Sequence, residues 1–260
     1  MTIGTAVPEP AELAHATHHF IHNKSIFDEY SVGDFEQEAL KTLDSLFTKN
    51  DFAIMVGGSG LYVDAVLKGF DKFPDVEDYV RIKIRAEYEQ HGLTYLQDQL
   101  KEYDPDYYGT VDIDNPQRMT RALEVSISSG RPYSSFLNRH SVKRDFTPII
   151  IGLDAERSIL YSRINQRVDM MMMNGLEEEA RKLYPHRELN ALRTVGYREL
   201  FDYFDGKESL GKAIDEIKKN SRRFAKRQLT WFRRNESANW FDFQESTNLI
   251  INHIQKNSNL

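Results

Sequence analysis

Four stretches of the chain combine residue types that handle phosphate or nucleic acid, and each also has a plainer structural explanation. The first is Gly57-Gly58-Ser59-Gly60, set between an apolar run and an apolar helical pattern. A helix that starts directly after a strand aims unpaired N–H groups and a positive dipole end at whatever lies above it. Glycines let an anion or a flat base approach the backbone, and Ser59 adds a hydroxyl. A tight connecting turn explains the same four residues, and the spacing does not choose between them. The second stretch is Asn115-Pro116-Gln117-Arg118-Met119-Thr120-Arg121. Asn115 is a good cap and Pro116 suits the first helical position. Gln117, Arg118 and Arg121 then fall on the first turn and a half, with the two arginines on one face. Such a helix start suits phosphates and base edges. The plainer alternative is a solvated helix start with Arg121 paired to Glu124.

In the third stretch, Arg193-Thr194-Val195-Gly196-Tyr197-Arg198, two arginines flank a glycine at a helix entrance. They can close bidentately on a diphosphate, or they can be two exposed loop residues. The fourth is physically the strongest. Lys218, Lys219, Arg222, Arg223, Lys226, Arg227, Arg233 and Arg234 fall in one helical pattern with no acid between Glu216 and Glu236. Ile217, Phe224, Leu229, Trp231 and Phe232 supply its apolar side. An anionic partner explains this concentration of charge better than a solvated face paired with acids elsewhere.

Two further clusters carry less. His15, His18, His19 and His22 would share a side of a helix, but Thr17–Ile21 has strand character, which scatters them, so no metal site is expected. Met170–Met173 is read as core filling.

The composition frames these motifs. The chain has 260 residues, a net charge of −6 and no cysteine. The missing cysteine removes disulfides, thiolate zinc sites, iron–sulfur clusters and a cysteine nucleophile. A mildly acidic chain excludes a uniformly basic coat but not a local basic face. Apolar runs are far short of the roughly 20 residues of a spanning helix, and the N-terminus lacks the pattern of a signal peptide.

The elements needed to position the motifs can also be read. Ser31 and Asp34 mark a reciprocally capped helix running to about residue 48. Phe52–Val56 reads as a buried strand entering the glycine turn, with a helix from Leu61: half of a parallel βα unit. From 71 to 140 helical patterns dominate. A second buried strand spans 148–153, followed by helices at about 156–174, 176–184, 196–204 and 210–234. An edge strand is expected at 239–243 and a short helix in the tail. The expected division is therefore 1–70 and 141–260 as two parts of an α/β core, with 71–140 as a helical insertion.

In order along the chain, Ile3-Gly4-Thr5-Ala6, His18-His19, Tyr30–Phe35, Gly57–Tyr62, Asn115–Arg118 with Arg121–Val125, Arg193–Arg198 and Lys226–Arg233 resemble the signatures of the bacterial tRNA dimethylallyltransferases (tRNA isopentenyltransferases) over essentially the whole chain. The resemblance implies a P-loop nucleotide-kinase-like parallel sheet with a helical insertion that grips the anticodon stem. It implies transfer of a dimethylallyl group from dimethylallyl diphosphate to N6 of adenosine 37, with Mg²⁺, in a cytoplasmic monomer. Carried over by motif, Ser59 contacts the target nucleotide; threonine is usual there, and serine keeps the hydroxyl. Arg81 matches a tRNA-contact position in the insertion. Gln117, Arg118, Met119, Thr120 and Arg121 lie in the tRNA-reading helix. Arg193 and Arg198 fall at the diphosphate end of the channel. Arg222, Arg223, Lys226, Arg227 and Arg233 line the basic helix along the RNA.

The family's phosphate-binding glycine loop and its general-base aspartate are expected before Ile3, and no GxxxxGK[ST] occurs in these 260 residues. The first strand, the base and a metal ligand are thus expected upstream of Met1, and the chain alone is expected to show no prenyl transfer. A non-catalytic RNA-binding module and a small-molecule kinase are the other classes considered. The basic helix and the missing phosphate loop argue against the kinase. The central expectation is that the neighbourhoods of Arg118, Arg193 and Lys226 converge near the Gly57–Gly60 corner.

Overall fold

A computed structural model describes residues 1–137 and 142–258. Along the chain the helices α1 (Pro10–Leu13), α2 (Val32–Phe47), α3 (Gly60–Lys68), α4 (Asp78–Tyr103), α5 (Pro105–Tyr108) and α6 (Pro116–Ser129) come first. Then come strand β1 (Ile151–Asp154), helices α7 (Arg157–Met173), α8 (Leu176–Leu183), α9 (Tyr197–Phe204) and α10 (Leu210–Phe232), strand β2 (Asn239–Asp242) and helix α11 (Thr247–Asn257). The class is α/β, predominantly helical, with a small parallel sheet.

Local chemistry accounts for these elements. Ser31 Oγ accepts the Asp34 N–H at 3.2 Å while the Asp34 carboxylate accepts the Ser31 N–H at 2.8 Å, the reciprocal box expected at the start of α2. Asn115 Oδ1 accepts the Arg118 N–H at 3.2 Å and Pro116 opens α6. Ser209 caps α10 through the Lys212 N–H. α4 carries non-helical backbone at Gly92, where φ is 70°, so its two halves form separate helical runs.

The chain divides into two compact units. One comprises residues 1–30, 56–60 and 147–260; the other comprises 31–55 and 61–146. Residues 31–55 and 61–70, read from sequence with the α/β core, thus fall with the insertion in this grouping. The first unit buries Val168, Leu176, Ala180, Leu192, Tyr197 and Leu200 around α7–α10. The second buries Val80, Ile84, Leu96, Leu100, Met119 and Leu123 between α4 and α6. Its buried Asp104 accepts the Tyr107 N–H and both the N–H and hydroxyl of Ser134, which ties α5 to the segment after α6.

β1 and β2 pair in parallel, with Ile151 opposite Asn239 and Asp154 opposite Asp242. Parallel pairing demands a long crossover, here α7 through α10. Two expected strands are not formed. Residues 52–56 have no β partner among the described residues, and Ile54 and Val56 are 90% and 89% exposed. Their β-branched composition favours extended backbone, but a strand exists only where a neighbour takes its hydrogen bonds. Residues 17–19 have no regular structure and 20–22 form bends, with positive φ at Phe20 and His22, which a ladder does not accommodate. The methionine run is also corrected in part. Met171 and Met172 pack on the core, whereas Met170 and Met173 are exposed, because four consecutive helical residues cannot all face one side.

Candidate nucleic-acid interface

α10 carries both the cations and the contacts to the glycine turn. Lys218 pairs with Asp169 at 2.6 Å and Lys219 with Glu216 at 2.9 Å. Arg233 bonds to Asp154 at the end of β1 and lies over the Trp240 ring. Arg222 turns inward, donating to Asn165 Oδ1 at 2.6 Å with its guanidinium over Tyr161. Arg223 donates to Asn220 within the helix. Lys226, Arg227 and Arg234 are exposed and, among the described residues, have no carboxylate within 4 Å. Among the described residues, Lys218, Lys219 and Arg233 thus have carboxylate partners, Arg222 and Arg223 bond to neutral amides, and Lys226, Arg227 and Arg234 have neither.

α10 also holds the glycine turn. Gln228 Nε2 donates to the Gly58 carbonyl at 3.0 Å. The Trp231 indole lies so close to Gly60 that an added Cβ would sit 2.3 Å from its ring. Ser59, between these two contacts, is exposed.

The Arg193–Arg198 stretch is anchored to the same helix. Gly196 takes φ of 103°, a conformation that favours glycine, and starts α9. The buried Glu199 carboxylate accepts the Gly196 N–H at 2.8 Å, Asn220 Nδ2 of α10 at 2.8 Å and Arg198 Nη2 at 3.1 Å. Arg198 and Arg193 are both half exposed, and Arg193 lies 3.8 Å from Glu188. Asn220 and Gln228 are eight residues apart, roughly 12 Å along a helix. One helix therefore holds both the arginine motif and the glycine turn.

A second carboxylate completes this frame. Glu179 on α8 accepts the N–H groups of Thr2, Ile3 and Gly4 at 2.8, 3.1 and 3.0 Å and the Tyr197 hydroxyl at 2.5 Å. Burial acts to raise its pKa, but the Gly4, Tyr197, Ile3 and Thr2 donors together outweigh that and hold the carboxyl below its usual range. The same contact, with burial first, pushes the Tyr197 phenol far up. His18 and His22 bond to the carbonyls of Ala16 and Met1.

In the second unit, Gln117 and Arg118 are exposed at the start of α6, and Thr120 is half-buried. Arg121 pairs with Glu124 at 3.7 Å, the plainer pairing weighed from sequence, and also lies over the Phe73 ring. Phe73 stacks in parallel on Tyr133, with centroids 5.0 Å apart, and Tyr107 packs beside them. Burial, then Tyr107, pushes the Tyr133 phenol up to about 12. Met119 is wholly buried in the core, so its side chain seats the helix rather than facing outward. Arg81 is half exposed on α4, 4.0 Å from Asp78.

Sequence reasoning missed Glu179, Glu199, Gln228 and Trp231 as organising residues. The last two sit inside a quoted motif. Glu179 looked like one of three acids at a helix start, with no signal to single it out.

Residues 1–235 match the sequence model of the IPP transferase family. The chain belongs to that family. A tRNA dimethylallyltransferase of Flavobacterium johnsoniae is 60% identical over 99% of this chain and 85% of its own length. The crystal structure of a tRNA isopentenylpyrophosphate transferase from Bacillus halodurans is similar at 36% identity, with a TM-score of 0.66, over 98% of this chain and 81% of that one. A eukaryotic dimethylallyltransferase acting on tRNA aligns with a TM-score of 0.76 over 95% of this chain and 66% of that one. At 21% identity that last likeness concerns the fold alone. In this IPP transferase family member, α10 holds the Gly57–Gly60 and Arg193–Arg198 motifs, while Asn115–Arg121 and Arg81 belong to the other compact unit.

Proposed function

We propose that this protein transfers a dimethylallyl group from dimethylallyl diphosphate to N6 of adenosine 37, beside the tRNA anticodon. Family membership and the names of the relatives support the transfer. The observation that carries the RNA side is α10 and the residues at its end: Lys226, Arg227 and Arg234 are exposed while Gln228 and Trp231 hold the turn bearing Ser59.

In this reading the cations hold RNA phosphates, and the exposed Ser59 hydroxyl meets the extruded adenine. Gln117, Arg118, Thr120 and Arg121, with Arg81, contact the anticodon arm from the insertion. The N6 nitrogen bonds to the allylic carbon as the carbon–oxygen bond to diphosphate breaks and N6 loses a proton. Arg193 and Arg198 stabilise the departing diphosphate, because charge grows on its oxygens in the transition state. The acceptor for the proton belongs to the segment that the resemblance places before Ile3, as does the phosphate loop of a kinase-like core. Mg²⁺ is expected at the diphosphate. Among the described residues no group of three or more His, Cys, Asp or Glu side chains is placed to hold a metal, so no step is assigned to one. No helix among the described residues is long and apolar enough to cross a membrane, and a cytoplasmic monomer fits the reading. A purely RNA-binding role is not favoured, given relatives named for the transfer at up to 60% identity.

Disruption of the gene in its cell of origin should remove N6-dimethylallyladenosine from bulk tRNA, and re-expression should restore it. Persistence of the modified nucleoside would overturn the proposal.

A further inference from the structure

We infer that Gln228 and Trp231 are positioning residues that couple RNA docking on α10 to the placement of Ser59. The inference rests on the reading that α10 holds RNA phosphates and that Ser59 meets the target base. The cations Lys226 and Arg227 immediately precede Gln228 in sequence, and Arg234 lies three residues beyond Trp231. The contacts to the turn are thus interleaved with the cations on one rigid helix. Gln228 fixes the turn at the Gly58 carbonyl, and Trp231 closes on Gly60, leaving Ser59 held from both sides. The Trp231 contact explains a glycine that helix chemistry does not. Gly60 opens α3 with no positive φ, so alanine would suit its backbone and improve helix propensity. What forbids a side chain there is the indole, with three ring atoms 2.3–2.6 Å from the place a Cβ would occupy. A rigid ring cannot yield as a flexible chain end does, so a methyl group at residue 60 must displace the turn or the helix.

The test uses the 260-residue chain and an anticodon stem-loop with 2-aminopurine at the target position, whose fluorescence rises when the base leaves the stack. The parent chain should bind and raise the signal. Binding without a rise would overturn the underlying reading of Ser59, whatever the variants do. Given the rise, Gly60→Ala should lose most of it while the dissociation constant changes by less than about threefold. Trp231→Leu alone, which removes the ring that closes on Gly60, should reduce the rise in the same way. Gln228→Leu, which removes the donor without touching a glycine, should reduce the rise in the same way if Gly60→Ala does not fold. An undiminished rise in Gly60→Ala or Gln228→Leu would overturn the inference while leaving the reading intact. So would an undiminished rise in Trp231→Leu.

Discussion

Glu179 shows how much one side chain can organise. Its carboxylate takes three consecutive backbone N–H groups and a phenol, and so joins the N-terminal loop to the Arg193–Arg198 stretch. Its pKa is depressed, so its contribution to stability is present above the unfolded value, about 4.3, and is lost as pH falls through the folded value. Glu179→Gln is expected to lower stability at pH 7 on the order of 1 kcal/mol, modest because the group is only half-buried. The difference between parent and variant should shrink as the pH is taken below 4, which urea titrations at a series of pH values will show. A difference independent of pH would mean that the charge of Glu179 does not matter.

The helices are the scale at which chemistry and architecture meet. α10 was legible from its charge pattern, but the pattern overstated the exposed charge. Arg222 lies inward on Tyr161 and Asn165, and Lys218, Lys219 and Arg233 have carboxylate partners. Lys226→Glu with Arg227→Glu should therefore weaken stem-loop binding and reduce the slope of log K against log salt by about 2, as a filter-binding series will measure. Arg222→Glu should act mainly by destabilising the α7–α10 contact. α6 shows the same division: Arg118 is presented outward by the burial of Met119, Ala122 and Leu123 on the other side. α6 could be placed from its cap and α10 from its charge and apolar pattern, whereas residues 52–56 could not, because composition says only that a segment prefers to be extended.

At the scale of the molecule, two units each have their own hydrophobic core, and both tryptophans, Trp231 and Trp240, lie in the first. Tryptophan fluorescence therefore follows one unit only. Leu192→Ala, in the first core, is expected to destabilise that transition by about 2–5 kcal/mol. Met119→Ala should cost the second core a similar amount, visible in the helical circular dichroism signal, while leaving the tryptophan midpoint within about 0.5 kcal/mol of the parent. A shift of the tryptophan midpoint by Met119→Ala would show that the two cores unfold together.

The chain's order of motifs, its capped helices and its local concentration of cations were set by sequence alone, because caps, periodicity and charge act over a few neighbouring residues. Ser31 with Asp34, Asn115 with Pro116, and the acid-free stretch after Glu216 needed no coordinates to be read. Only the tertiary structure decided which cations stay uncompensated and what the glycine turn leans on. It alone revealed that Glu179 and Glu199 bind the motifs together. Those properties depend on partners up to 177 positions away, as in the bond from Thr2 to Glu179, and a pairing of that range leaves no mark on the residues beside it.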